Sequence, residues 1–157
     1  MPGRAEALPR SVRIVHLHGA PRSATNRTTT GAMSGPTDVT TVPKPWGHET
    51  IWAKTDRYVG KILHVKAGHA LSVQYHNKKD ETVYLLAGEL IYWVKLPGSE
   101  EIKDMKLKVG DAFRITPGTV HYMEAVTDCD VLEASTPELD DVVRLQDRYG
   151  REGTSKA

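Results

Sequence analysis

Beyond residue 43 the apolar positions come in short runs, many of them alternating with polar ones, at 49–53, 58–65, 70–76, 82–86, 89–96, 105–109, 112–116, 121–126 and 131–135. Gly60, Gly68, Gly88, Pro97-Gly98, Gly110 and Pro117-Gly118 punctuate them. Short strand-like runs recurring every roughly 8–12 residues, with turn formers between, predict an antiparallel sandwich or barrel. The expected fold is therefore all-β, a small antiparallel jelly roll with a short C-terminal extension. No segment carries the period of a substantial helix; residues 137–141, with Thr136 as cap and acids in the first turn, are the one helix start the sequence offers.

Residues 1–43 have a different texture. They are rich in Ser, Thr, Gly and Pro, carry five arginines against Glu6 and Asp38, and offer only 12–17 as a short strand. Such a composition buries too little apolar surface to offset ordering entropy, so disorder is expected over 1–43 and again over 152–157, around a folded domain at 44–151. An arginine-rich, acid-poor start is equally compatible with a transit peptide and with translation from upstream of the natural start, Met33 being one candidate.

A net charge of +1 over 157 residues gives no electrostatic case for nucleic acid or an anionic membrane. No run approaches the roughly 18 apolar residues of a membrane span. The single cysteine, Cys129, rules out an internal disulfide and fits a reducing compartment, so a cytoplasmic protein is expected, with Cys129 packed as a thiol.

The chemistry concentrates between Gly68 and Gly88. Gln74 and His76 are two apart and leave an extended segment on one face. Asn77, Lys78, Lys79 and Asp80 are turn formers, and Glu81 opens the next apolar run. A hairpin of the two runs would bring an imidazole, a carboxylate and an amide oxygen to one focus, a donor set suited to a divalent metal. A fourth donor is available in His121, just after the Pro117-Gly118 turn.

Together these segments resemble the two metal-binding motifs of the cupin superfamily. Gly68, Gln74, His76, Glu81 and Gly88 fall on the spacing of the first, with Gln74 in place of its first histidine. Gly110, Gly118 and His121 fall on the second, where Thr116 replaces a proline and Ala125 an asparagine. The resemblance implies one divalent metal, zinc, manganese, iron or nickel, held by Gln74, His76, Glu81 and His121.

Three further stretches resemble the type II phosphomannose isomerase cupin domain: Lys44-Pro-Trp-Gly47, Leu71-Ser-Val-Gln74-Tyr-His76, and the segment from Asp141 to Arg151. That family implies a metal-dependent isomerase interconverting an aldose and a ketose, with a sugar or sugar phosphate as partner and a homodimer as assembly. Glu133 is the candidate base and Arg144 the candidate substrate-binding residue. Arg151, Lys61 and Lys66 are weaker anion contacts, read first as solvated charge. Lys79 and Thr82 stand where the family has an arginine and a histidine implicated in activity. Two alternatives stay open: a metal- and carbohydrate-binding cupin without turnover, and an iron-dependent oxygenase.

Overall fold

The computed structural model describes residues 34–154. The disorder expected for 1–33 and 155–157 lies outside the described residues. Twelve strands make up the described part, and it contains no helix.

Strands β1 (Thr40–Lys44), β2 (Gly47–Lys54), β3 (Val59–Val65), β5 (Glu81–Ala87), β8 (Ala112–Ile115) and β10 (Cys129–Ser135) form one antiparallel sheet in the order β1-β2-β3-β10-β5-β8. The second sheet runs β12 (Gly153–Thr154), β11 (Val143–Gln146), β4 (Val73–Tyr75), β9 (Val120–Ala125), β6 (Leu90–Lys95) and β7 (Ile102–Leu107). This is the all-β, two-sheet arrangement the punctuated apolar runs predict, closed around one core.

Four expectations need correction. The fold begins at Thr40 rather than Lys44: the β-branched Thr40-Thr41-Val42 run pairs with β2. Pro43 is tolerated there because β1 is an edge strand. A strand also reaches Thr154, inside the end expected to be disordered. Residues 137–141 make turns rather than a helix, because their caps are used elsewhere. Thr136 Oγ1 accepts the Asp80 N–H at 3.2 Å, and the Asp141 carboxylate binds residues 77–79. Finally, β4 and β5 do not pair as a hairpin. They lie in opposite sheets, β4 between β9 and β11, β5 between β10 and β8.

Alternation along the strands gives the barrel two unlike ends. Inward positions run from Val65 and Leu63 to Lys61 on β3, and from Leu85 and Val83 to Glu81 on β5. They run from Ala125 and Met123 to His121 on β9, and from Cys129 and Val131 to Glu133 on β10. One end is thus a dry core with Leu90, Tyr92 and Ile115, where each fully buried Val- or Leu-sized side chain contributes about 1.5–3 kcal/mol. The other is a layer of buried charge. Cys129 packs in the apolar end as expected, its thiol donating to the Glu89 carbonyl at 3.0 Å. Gly88 closes β5 with φ +88°, and a Cβ there would sit 2.3 Å from the Asp128 carbonyl, so no other residue fits. No helix among the described residues is long and apolar enough to cross a membrane.

Candidate metal centre

His76, Glu81 and His121 come together in the polar layer, each offering a ligand atom within 4.8 Å of the others, and all three are buried. The convergence spans the two sheets. Glu81 opens β5 in one; His121 sits on β9 in the other; His76 follows β4, which pairs with β9. His121 Nε2 lies 3.3 Å from Glu81 Oε1, and His76 Nε2 lies 3.6 Å from Glu81 Oε2.

The far side of each ring fixes its tautomer. His76 Nδ1 meets the Asp141 carbonyl at 2.5 Å, and His121 Nδ1 meets the Thr119 carbonyl at 3.0 Å. A carbonyl only accepts, so both Nδ1 atoms carry a proton, and each ring in its neutral form turns the Nε2 lone pair to the centre. Neither buried Nε2 has a hydrogen-bond partner. Two imidazole lone pairs and a carboxylate aimed at one point, each ring held from behind by a carbonyl, are the donor set of a divalent cation with its supporting shell. The residues fit the metal that the motif spacing implies.

Gln74 stands opposite His121 in the β4–β9 register, and its amide oxygen accepts the Ser72 hydroxyl at 2.7 Å. It also lines a cavity of about 390 Å³ at the polar end, shared with Trp46, Lys61, Glu133, Arg144 and Arg151. His48, His64 and His69 are engaged elsewhere: His48 stacks on His64, His64 meets Asp130 at 2.8 Å, and His69 meets the Tyr149 hydroxyl at 2.9 Å.

Lys79 departs most from expectation. A lysine at a turn reads as solvated, yet Lys79 is 4% exposed. Its ammonium is hydrogen-bonded to Glu81 Oε2, and to Glu133 Oε1 at 2.7 Å. Burial pushes its pKa down, but Glu133 and Glu81 prevail and raise it, so the side chain is a fixed cation. From there opposite charges alternate along the cavity wall. Lys61 lies 3.7 Å from Glu133 and 3.6 Å from Glu49, and Lys44 lies 3.1 Å from Glu49. Glu133 is therefore inside the barrel, clamped through one oxygen by two ammonium groups.

Thr82 is the other departure from the family pattern. Alternation along β5 buries Glu81, Val83 and Leu85, so Thr82 faces the opposite side, beside Trp52 and Arg57. Only Lys79, of the two, belongs to the site. Trp46 is buried in the core, whereas Trp52 is 40% exposed and lies against Gly60.

The residue that sequence reasoning passed over is Asp141. Its carboxylate accepts the backbone N–H groups of Asn77 at 3.0 Å, Lys78 at 2.5 Å and Lys79 at 2.8 Å, and the Asn77 amide at 3.2 Å. Burial would raise its pKa, but these donors outweigh it and hold it at about 2. The same residue's carbonyl holds His76. One residue thus ties the C-terminal segment to both the turn carrying Lys79 and a candidate ligand. Its place at the head of the Asp141–Arg151 motif was the available signal. Asp141→Ala should cost about 1–3 kcal/mol of stability, the loss of a multiply bonded charged cap. Urea midpoints of this variant against Asp140→Ala check it; equal midpoints would mean the cap contributes nothing.

Arg144 lies opposite Gln74 in the β11–β4 register and lines the cavity with a buried, unpartnered Nε. Partial burial and then the neighbouring Arg151 charge lower its pKa. Arg151 is not a free surface charge: it pairs with Asp147 at 2.7 Å, lies over the Tyr149 ring and reaches the same cavity.

The cupin domain family model matches residues 61–134. A mannose-1-phosphate guanylyltransferase of Escherichia coli K12 is 34% identical over 119 residues, covering 70% of this chain and 23% of the relative. The enzyme of that name from Salmonella typhimurium is also 34% identical, over 115 residues, with the same coverage. The chain thus spans under a quarter of these relatives' length. Among solved structures, the capsular polysaccharide assembling protein CapF from Staphylococcus aureus superposes with TM-score 0.59 at 19% identity, covering 70% of this chain and 35% of CapF. Oxalate decarboxylase from Bacillus subtilis superposes with TM-score 0.64 at 13% identity, covering 74% and 33%. At such identities the likeness is one of fold. Motif spacing, two-sheet barrel and family match agree: residues 61–134 are a cupin domain.

Proposed function

We propose that this chain is a metal-dependent isomerase that interconverts an aldose and a ketose, with mannose 6-phosphate and fructose 6-phosphate as the favoured pair. The observation that carries this reading is the buried Glu133 carboxylate, on the wall of a cation-lined cavity and tied through Lys79 to the His76–Glu81–His121 centre. The names of the curated relatives, which place mannose phosphate in their chemistry, support the choice of sugar.

The metal, held by His76, Glu81, His121 and Gln74, would supply Lewis-acid stabilisation of the charge that develops on the sugar oxygens. The chain's own residues do the rest. Both lysines hold Glu133 by Oε1, which leaves Oε2 as the oxygen for proton transfer. Glu133 takes a proton from carbon 2 of the aldose and, after exchange with solvent, delivers one to carbon 1. The proton on oxygen 2 passes to oxygen 1, so the products are an isomer with nothing gained or lost. Lys79 and Lys61 balance the negative charge through the step. Arg144 and Arg151 meet a phosphate at the cavity mouth.

Incubating metal-loaded protein with mannose 6-phosphate in heavy water tests this. Turnover should place deuterium on carbon 1 of the fructose 6-phosphate formed, and Glu133→Gln should lower kcat by about 10²–10⁴-fold with metal content unchanged. A second reading, a carbohydrate-binding cupin without turnover, is favoured by the double clamp on Glu133, which holds the carboxylate that a base needs free. Saturable sugar-phosphate binding with no deuterium incorporation would select it.

A further inference from the structure

Tyr92 is a buried group for which neither reading has a use. It sits on β6 with no exposed surface, and its hydroxyl has no hydrogen-bond partner among the described residues. Its ring lies nearly parallel to His121, centroids 6.3 Å apart, and against Phe113 at 5.3 Å. In register it opposes Met123, one inward position from His121, so the side chain stands where the apolar core gives way to the charged layer. Burial, then Glu81 and Glu133, raise the phenol's pKa well above the usual value, which keeps the O–H protonated and a donor.

A buried hydroxyl without a partner is a cost that phenylalanine would avoid in nearly the same volume. Glu81 and Glu133 are the carboxylates whose charge reaches it, and both are already engaged by Lys79. Among the described residues no acceptor meets it.

We propose that the Tyr92 hydroxyl is the hydrogen-bond donor for an exogenous oxygen bound at the His76–Glu81–His121 centre, a water or a carboxylate, hydroxyl or carbonyl oxygen of a ligand. The inference rests on the metal centre proposed above, but on neither choice of reaction. It assigns Tyr92 to ligand binding at that centre, and it explains why this position of the core is a tyrosine while its neighbour is the chain's single phenylalanine.

The test uses the full chain loaded with Co²⁺, whose visible spectrum reports ligands entering the metal, and acetate as the oxygen ligand. Tyr92→Phe should bind Co²⁺ as the wild type does and melt at the same temperature or higher without metal, since a desolvated hydroxyl has been removed. Its acetate Kd should rise about tenfold or more, the loss of one hydrogen bond to a charged oxygen. An unchanged acetate Kd in the loaded variant overturns the Tyr92 proposal and leaves the metal centre standing. So does a wild-type Co²⁺ spectrum that acetate does not perturb. Failure of the wild type to take up Co²⁺ overturns both. A fall in metal-free melting temperature in Tyr92→Phe would show that the hydroxyl is satisfied within the chain, and it too ends the proposal.

Discussion

His76→Ala and His121→Ala proteins should each retain less than about a tenth of the divalent metal that the wild type holds when both are dialysed at the same free metal. Losing a supporting hydrogen bond alone typically costs about 10–100-fold in metal affinity, and these substitutions remove the ligand itself. Each leaves one imidazole, the Glu81 carboxylate and the Gln74 amide, of which the carboxylate is already held by the Lys79 ammonium. His48→Ala is the control. His48 stacks on His64 away from the centre and should leave metal content untouched. The two ligand variants should differ in stability. His76 is fully buried and its Nδ1–H fastens the Asp141 carbonyl, so its loss frees the C-terminal segment, whereas His121 Nδ1 binds Thr119, two residues away and just before its own strand. Equal metal in wild type, His76→Ala and His121→Ala, by elemental analysis, would remove the metal centre from consideration.

The sequence conveyed the donors more reliably than the route by which they meet. Spacing within each motif is a local property, fixed by turns at Gly68, Gly88, Gly110 and Gly118, all with positive φ. Inward-facing donors follow from alternation alone. The pairing partner of a strand is a non-local property. Residues 70–76 and 81–87 are close in sequence with a turn between, which is the signature of a hairpin, yet hairpin and jelly-roll connection share that signature. What separates them is the opposite sheet's need for β4 beside β9, which no local pattern records. The burial of Lys79 is hidden for a similar reason. A lysine among turn formers has a strong prior for solvent. Its burial depends on Glu133, 54 residues away, reaching the same point from β10. Asp141 and Thr136 show the reverse substitution: local signals for a helix start, diverted to tertiary partners in the 77–80 turn.

Lys79→Met should destabilise the metal-free protein by about 3–5 kcal/mol, because it strips the shared cation from two buried carboxylates and replaces it with nothing. Glu81 and Glu133 are each about 5% exposed or less, and Lys79 supplies a hydrogen bond to both. Lys61 cannot take over, since it stands 3.7 Å from Glu133 and is shared with Glu49. Metal should recover much of the loss, because a divalent cation at the centre neutralises Glu81 in the ammonium's place. The Lys79→Met variant is therefore expected to show a larger metal-dependent rise in melting temperature than the wild type, and to bind metal at least as tightly. Its cost should also shrink when a carboxylate is removed with it. In a Glu133→Gln background one of the two stranded charges is gone, and urea unfolding should show a coupling of about 1 kcal/mol or more between the two positions. A Lys79→Met cost below about 1 kcal/mol, with no coupling to Glu133→Gln, is the value of a surface pair. That result would place the ammonium in solvent and leave Glu133 unconnected to the metal centre.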